Sequence, residues 1–415
     1  MMKPQNLRMY RAALMAGLLV MLPYALSACA DDEIKRPDVT APLMPELGPE
    51  GTEGTISLSQ IESSTPFTAG TGANSYRIPS IVTAGDGSLL VFCEARHESW
   101  VDKSHTDIVV RRSTDNGKSW SEAVNLTASA NGGEYAFMDP TPVADTETGR
   151  IFLFCCRWVK SDADATKTRA FRVVSTDNGA TWGAPEDVTA TVIREGYYSS
   201  GFGPGSGIRI SRGKYAGRLI FPSRQYDGTS SSGVAVYSDD HGATWKIGSE
   251  VLGGECQIAE AGENSLTINI RKGADRYSAF SKDGGKTWSQ AAKDGGLPSF
   301  ESGCHASVCG AGGNTVLYCG PKGGAKTTSN DNRYELMLYR SPTGAEGWTR
   351  NEMLYELAAG YPDMTLLEDG RLAIVFEAGP EKGFTRQGGN RPAGWMRLDV
   401  LILPKEVTDY GYWFE

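Results

Sequence analysis

One eight-residue pattern recurs along the chain and constrains the fold more than any other feature. Residues 113–120 read Ser113-Thr114-Asp115-Asn116-Gly117-Lys118-Ser119-Trp120. The pattern S-x-D-x-G-x-[ST]-W returns at 175–182 (STDNGATW), 238–245 (SDDHGATW) and 281–288 (SKDGGKTW). A decayed copy at 341–348 (SPTGAEGW) keeps Ser341 and Trp348 but loses the Asp and the central Gly. Self-similarity at intervals of tens of residues marks a repeat architecture. The start-to-start intervals of 62, 63 and 43 residues are too uneven for a solenoid and suit antiparallel blades joined by unequal loops.

Each copy reads as a hairpin turn. The Asp is expected to accept backbone N–H groups two or three residues on, as in an Asx-turn. The Gly supplies a positive φ. The Trp offers a large apolar face and one indole N–H to satisfy. None of this requires chemistry, so the repeat speaks for architecture and not for function. Short apolar runs agree: Ile108-Val109-Val110, Ile151-Phe152-Leu153-Phe154, Arg218-Leu219-Ile220-Phe221 and Arg371-Leu372-Ala373-Ile374-Val375-Phe376, bounded by Gly, Asp and Asn. No long pattern of period 3.6 follows the first thirty residues. The expected fold is all-β, a six-bladed β-propeller over residues 56–415.

The N-terminus reads differently. Lys3, Arg8 and Arg11 precede an apolar run over 12–28 that is too short for a convincing membrane span. It ends in Leu26-Ser27-Ala28-Cys29, which resembles a bacterial lipobox. That resemblance implies a lipoprotein signal peptide over 1–28 and lipidation of Cys29. Acyl chains stabilise membrane attachment by about 0.8 kcal/mol per buried CH₂. The acidic Asp31-Asp32-Glu33 that follows resembles a surface-export signal of Bacteroidetes-type lipoproteins. The expected location is therefore the bacterial outer membrane, facing the cell surface or the periplasm. Residues 29–55, rich in Pro, Glu, Gly and Thr, read as a flexible tether.

A net charge of −9 argues against binding nucleic acid by bulk electrostatics. Of eight cysteines, Cys93, Cys155, Cys156 and Cys319 lie in apolar runs and read as buried small hydrophobes. Cys304 and Cys309 have the option of pairing. With four histidines in the chain, no Cys/His spacing resembles a zinc site.

The repeats resemble the Asp boxes of the sialidase (BNR) superfamily, in particular bacterial exo-α-sialidases, or neuraminidases, of glycoside hydrolase family 33. Tyr76-Arg77-Ile78-Pro79 matches that family's [FY]-R-I-P motif and precedes the first box. The likeness runs in order from about Ser75 to Glu377. It implies an anionic substrate whose anomeric carbon carries a carboxylate. Guanidinium groups match a carboxylate geometrically and stay charged. By resemblance the three are Arg77, Arg271 (in Leu266-Thr267-Ile268-Asn269-Ile270-Arg271) and Arg333 (in Asn332-Arg333-Tyr334-Glu335).

The same carboxylate would repel an Asp or Glu nucleophile, and sialidases are the tyrosine exception among glycosidases. A neutral Tyr hydroxyl needs a neighbouring base, since its ordinary pKa is about 10. The resemblance implies Tyr361, in Ala359-Gly360-Tyr361-Pro362-Asp363, with Glu255 as its partner and Glu260 as the competing candidate. The general acid falls in the segment between Glu94 and Asp107. Asp102 is the choice, with Glu98 and Asp107 as alternatives. Arg96 and Asp139 (in Met138-Asp139-Pro140) resemble substrate-contacting residues, and Glu377 resembles the Glu that orients the first arginine.

The implied activity is retaining hydrolysis of terminal sialic acids on glycoproteins, glycolipids or oligosaccharides, through a tyrosine-linked intermediate. No cofactor or metal is implied, and a monomer is expected. Trans-sialidase or anhydro-forming activity would use the same residues. A non-catalytic glycan-binding propeller is the alternative of a different class.

Overall fold

Alternating side chains and left-handed turns set the architecture. The computed structural model describes residues 54–56, 60–324, 332–380, 396–408 and 412–414. The lipobox and Cys29 lie outside them. The described chain is all-β, and its α-helices are the four-residue turns Ala128–Asn131 and Thr189–Val192.

Strands follow one another in antiparallel up-and-down order. Ser75–Thr83, Leu89–Arg96, Thr106–Ser113 and Val124–Asn125 form one meander. Tyr135–Asp145, Arg150–Val159, Arg169–Ser175 and Glu186–Asp187 form the next. Then come Tyr198–Phe202, Leu219–Tyr226, Ser231–Ser238 and Lys246–Val251. Cys256–Gly262, Ser265–Lys272, Asp275–Ser281 and Ala292–Lys293 follow. Ser307–Gly310, Val316–Pro321 and Tyr334–Ser341 lead into the long strand Arg350–Leu366. The far part of that strand pairs with Leu372–Ala378, which pairs with Arg397–Leu403, which takes Glu62–Thr68 from the start of the chain. Early and late segments thus share one sheet. Gly54–Ile56, at the expected boundary of the tether, pairs in parallel with Tyr412–Phe414.

The repeated motif sits at the turns between the last two strands of its meanders, with a bonding pattern that departs from the sequence expectation. Ser113 Oγ, not the Asp, accepts the Gly117 N–H at 2.8 Å. Asp115 Oδ1 reaches four residues on, accepting Ser119 N–H at 2.9 Å, and Oδ2 accepts the Ser119 hydroxyl at 2.5 Å. Two consecutive residues are left-handed, Asn116 at φ 58° and Gly117 at φ 83°. The copies at Asp177, Asp240 and Asp283 repeat this network. The decayed copy keeps only the Ser341 cap, accepting Ala345 N–H at 3.0 Å, with Ala345 forced to φ 71°.

The tryptophans reach back across the seam to the preceding meander. Trp120 donates to Ser64 Oγ at 3.0 Å, Trp182 meets Phe92 edge-on, and Trp245 packs on Phe152 and Phe154. A Trp buries on the order of 200 Å², so each seam gains several kcal/mol of gross transfer free energy. The indole N–H groups of Trp182, Trp245 and Trp288 nevertheless find no acceptor among the described residues.

Two first strands and the segment around Ser206 converge on one buried carboxylate. Asp363, fully buried, accepts Ile81 N–H at 2.8 Å, Ser206 N–H at 2.9 Å and the Gln257 amide at 2.6 Å. It thereby fixes neighbours from three other parts of the chain two residues from Tyr361.

Candidate active site

A cavity of about 680 Å³ opens where the first strands of the meanders begin. Their sequences kink there for a local reason. Register shifts fall between Arg77 and Ser80, Met138 and Thr141, and Gly360 and Asp363. At each bulge a non-glycine residue takes positive φ: Ile78 at 52°, Asp139 at 57° and Tyr361 at 44°. Each immediately precedes a proline (Pro79, Pro140, Pro362), whose missing N–H suits a break in the ladder. The bulges re-aim side chains that regular strands would have alternated away.

Tyr361 stands at the centre. Its hydroxyl donates to Glu255 Oε1 at 2.8 Å and receives Arg271 Nη1 at 3.1 Å. The same Arg271 nitrogen bonds Glu255 Oε2 at 2.7 Å. The guanidinium carbons of Arg77 and Arg333 lie 5.7 and 5.2 Å from the Tyr361 ring centroid. Three arginines from three parts of the chain therefore surround one phenol. Arg77 is buried and held by Glu377, whose Oε1 takes Arg77 Nε at 2.6 Å and Ile78 N–H at 2.9 Å. Arg333 Nε donates to the Gly303 carbonyl at 3.1 Å.

Burial and the Glu255 charge push the Tyr361 phenol well above its ordinary value, against the pull of Arg271 and Arg333. Burial also works to raise Glu255, but Arg271 and Arg224 outweigh it and hold the carboxyl well below the usual range. The pair is thus an ionised acceptor beside a protonated phenol.

Asp102 lies at the rim, its side chain 72% exposed, 2.6 Å from Arg96 Nη1. Arg96 is buried; Glu94 takes its Nε and Nη2 at 2.9 and 2.6 Å, and its Nη1 also donates to the Trp100 carbonyl at 2.7 Å. Asp139 is paired with Arg224 at 2.5 Å, and its N–H donates to Glu94 Oε1 at 3.0 Å. Burial lifts the Asp139 carboxyl to about 6, with Arg224 pulling it back and Glu255 and Asp102 adding to the rise. Burial likewise lifts Glu94 to about 7 despite Arg96.

All nine residues expected from the sequence at this site (Arg77, Arg96, Asp102, Asp139, Glu255, Arg271, Arg333, Tyr361 and Glu377) lie in or directly behind this one cavity. The competing candidates lie elsewhere. Glu260 accepts Ser211 N–H and hydroxyl at 3.1 and 2.7 Å. Glu98 pairs with Lys160, and Asp107 sits in a polar cluster with Asn125, Thr127 and Asn131. Cys304 and Cys309 are both free thiols; Cys304 Sγ accepts the Tyr361 N–H at 3.3 Å.

Sequence reasoning missed Glu94, Arg224 and His305. Glu94 carried a signal: it and Arg96 are charges two apart in an otherwise apolar strand, on one face of it. His305 stacks on Tyr361 with ring centroids 6.0 Å apart, and burial lowers it to about 3. The cavity gathers cationic groups around a phenol and carboxylates rather than a set of metal donors. Among the described residues, the one cluster with metal-ligand geometry lies outside it.

Fold and cavity together define an all-β repeat protein with a cationic pocket suited to a small anionic ligand. The family model for the BNR repeat-like domain matches residues 79–374, and the chain belongs to that family. It is 29% identical to a sialidase of Bacteroides fragilis (strain YCH46) over 337 residues, covering 73% of this chain and 60% of that protein. It is 30% identical to a sialidase of Micromonospora viridifaciens over 341 residues, covering 74% and 50%. The chain thus spans about half to three-fifths of the length of these relatives. Among solved structures, the Hadza microbial sialidase Hz136 has the same fold, with a TM-score of 0.68 at 22% identity over 81% of this chain and 66% of that one.

Proposed function

We propose that this chain is a retaining exo-α-sialidase acting on terminal sialic acids of glycoconjugates, and that its meanders are the blades of a six-bladed β-propeller. The observation that carries the reading is the Tyr361–Glu255 contact of 2.8 Å beneath three arginines. A buried cationic ring suits a permanent carboxylate on the substrate. Once that carboxylate is bound, an anionic nucleophile would be repelled, and a neutral phenol would not.

In this mechanism Arg77, Arg271 and Arg333 hold the substrate carboxylate. Tyr361 Oη attacks the anomeric carbon as its proton passes to Glu255, and the bond to the leaving oxygen breaks. Asp102 supplies the proton to that oxygen. Water, deprotonated by Asp102, then attacks the same carbon and releases Tyr361, which recovers its proton from Glu255. Two displacements give retention. Asp102 starts at a disadvantage as an acid. Partial desolvation at the cavity mouth works to raise it, but Arg96, Arg77 and Arg333 hold it below the usual carboxylate range. A bound anion offsets the positive field of Arg77 and Arg333, so substrate itself would lift Asp102 toward the protonated state.

The test is release of free sialic acid by purified protein from a fluorogenic sialic acid α-ketoside. Absence of turnover on every nonulosonic acid glycoside tried would remove the proposal. We also propose attachment to the bacterial outer membrane through lipidated Cys29, supported by the lipobox-like Leu26-Ser27-Ala28-Cys29. Radiolabelled palmitate should label the wild-type chain in cells and fail to label Cys29→Ala.

A further inference from the structure

Beside the cavity, the hairpin that carries Asp102 brings together three groups that spacing along the chain does not. Strands Leu89–Arg96 and Thr106–Ser113 pair Ala95 with Asp107 and Arg96 with Thr106. The next opposed residues are His97 and His105, joined by the His97 N–H donating to the His105 carbonyl at 2.9 Å. Residues two apart on a strand share a face, so His97, His105 and Asp107 converge.

His97 Nε2 lies 3.0 Å and His105 Nε2 3.8 Å from Asp107 Oδ2. The two imidazole centroids are 4.6 Å apart, and all three donor atoms lie within 4.8 Å of one another. Zinc bonds of about 2.0–2.2 Å place tetrahedral donors roughly 3.3–3.5 Å apart, so small side-chain rotations suffice. Asp107 is already fixed from behind. Its Oδ1 accepts Thr127 Oγ1 at 2.8 Å and Asn131 Nδ2 at 2.7 Å, and its Oδ2 accepts Asn125 Nδ2 at 2.9 Å. Such outer partners orient a metal ligand. The histidine side chains are 29% and 25% exposed, which leaves a coordination position open to water. Two imidazoles and one carboxylate suit late first-row divalent ions and not calcium or magnesium.

We propose that His97, His105 and Asp107 bind a late first-row divalent cation, zinc first among them, and that this ion clips the stem of segment 98–104. The binding site stands independently of the sialidase reading; only the benefit of steadying Asp102 rests on it.

The experiment titrates ZnCl₂ into the EDTA-stripped full-length protein by calorimetry, with no substrate present. One equivalent is expected to bind saturably. Co²⁺ should give visible bands of a nitrogen–oxygen site without a thiolate charge-transfer band, which excludes the cysteines, seven of them free thiols among the described residues. Backbone amide exchange within 98–104 should slow on adding Zn²⁺. His97→Gln/His105→Gln should abolish all three effects, its affinity falling by more than the roughly 10–100-fold that loss of an outer partner costs. His105→Gln alone serves as the second variant, and each must match the melting temperature of the metal-free wild type. Failure of Zn²⁺ and Co²⁺ to bind the wild type, or equal binding by a folded variant, overturns the proposal. Inactivity on sialosides leaves it untouched.

Discussion

Arg96 Nη1 lies 2.6 Å from Asp102 Oδ1 while Glu94 grips the same guanidinium from the buried side. An exposed carboxylate is thereby tied to an element that cannot move without unpairing a buried ion pair. For the proposed acid this means fixed position at the cost of a depressed proton affinity. Asp102→Ala should lower kcat by about 10²–10⁴ on sialyllactose, whose leaving group needs a proton. It should lower it far less on an umbelliferyl sialoside, whose leaving group does not. Equal losses on both substrates would argue against the acid role.

The phenol–carboxylate contact makes a sharper demand. Tyr361→Phe should reduce kcat on the order of 10⁴–10⁶-fold, the scale seen when a nucleophile is removed. Glu255→Gln should cost about 10²–10⁴-fold, as for a lost base. Thermal melts of Tyr361→Phe should stay close to wild type, which separates chemistry from folding. Near-normal kcat in Tyr361→Phe would move the nucleophile elsewhere.

The repeated turn yields a stability prediction without any assay of activity. A Cβ on Gly242, at φ 79°, would lie 2.1 Å from Phe152 Cζ, in the packed seam between two meanders. Gly242→Ala should destabilise the protein by about 2–4 kcal/mol, from left-handed strain and overpacking together. Ala345 fills the equivalent place in the decayed copy at φ 71°, its methyl already accommodated in a core cluster with Leu297, Val308 and Tyr318. Ala345→Gly should change stability by less than about 1 kcal/mol, relief of strain offsetting the added freedom of the unfolded chain. Denaturant titrations of both variants check the contrast.

Acid should loosen the same turns. Hydrogen bonds from the hydroxyls of Ser119, Thr181 and Thr244, joined by backbone N–H groups and the capping serines, hold Asp115, Asp177 and Asp240 at about 2. Their folded values lie below the unfolded value of about 3.9. The resulting stability is complete above about pH 4 and is lost as pH falls toward about 2. Melting temperature should therefore drop over this window, and less steeply in Asp177→Asn than in wild type. An unchanged acid slope in that variant would discount its turn.

Much of this was legible because it is local. The turn motif, the strands around Ile151 and Ile374, and the positive φ of Gly117 depend on residues a few positions apart. The Tyr361, Glu255 and arginine set was legible only by resemblance, since nothing local ties Arg77 to Glu377. What stayed hidden depends on register and on closure of the chain. Arg224 meets Asp139 across two meanders, and Asp363 collects donors from Ile81, Ser206 and Gln257. The His97–His105–Asp107 cluster escaped a test of ligand spacing because a hairpin, not a helix or a knuckle, brings its members together. The serine of the motif was overlooked for a different reason: its hydroxyl and the Asp carboxylate compete for the same few N–H groups, and only the backbone path gives the Gly117 N–H to Ser113.

The kinks at Ile78-Pro79, Asp139-Pro140 and Tyr361-Pro362 belong to the strands themselves and not to the loops above them. Each unfavourable backbone angle costs on the order of 1–3 kcal/mol and persists only while the surrounding sheet enforces it. The backbone that aims Arg77, Asp139 and Tyr361 into the pocket therefore has no way to relax ahead of its sheet. On heating, ligand capture and the sheet signal should vanish in one transition at one temperature. A protein built this way carries its own gauge of integrity: if it still binds, it is still folded.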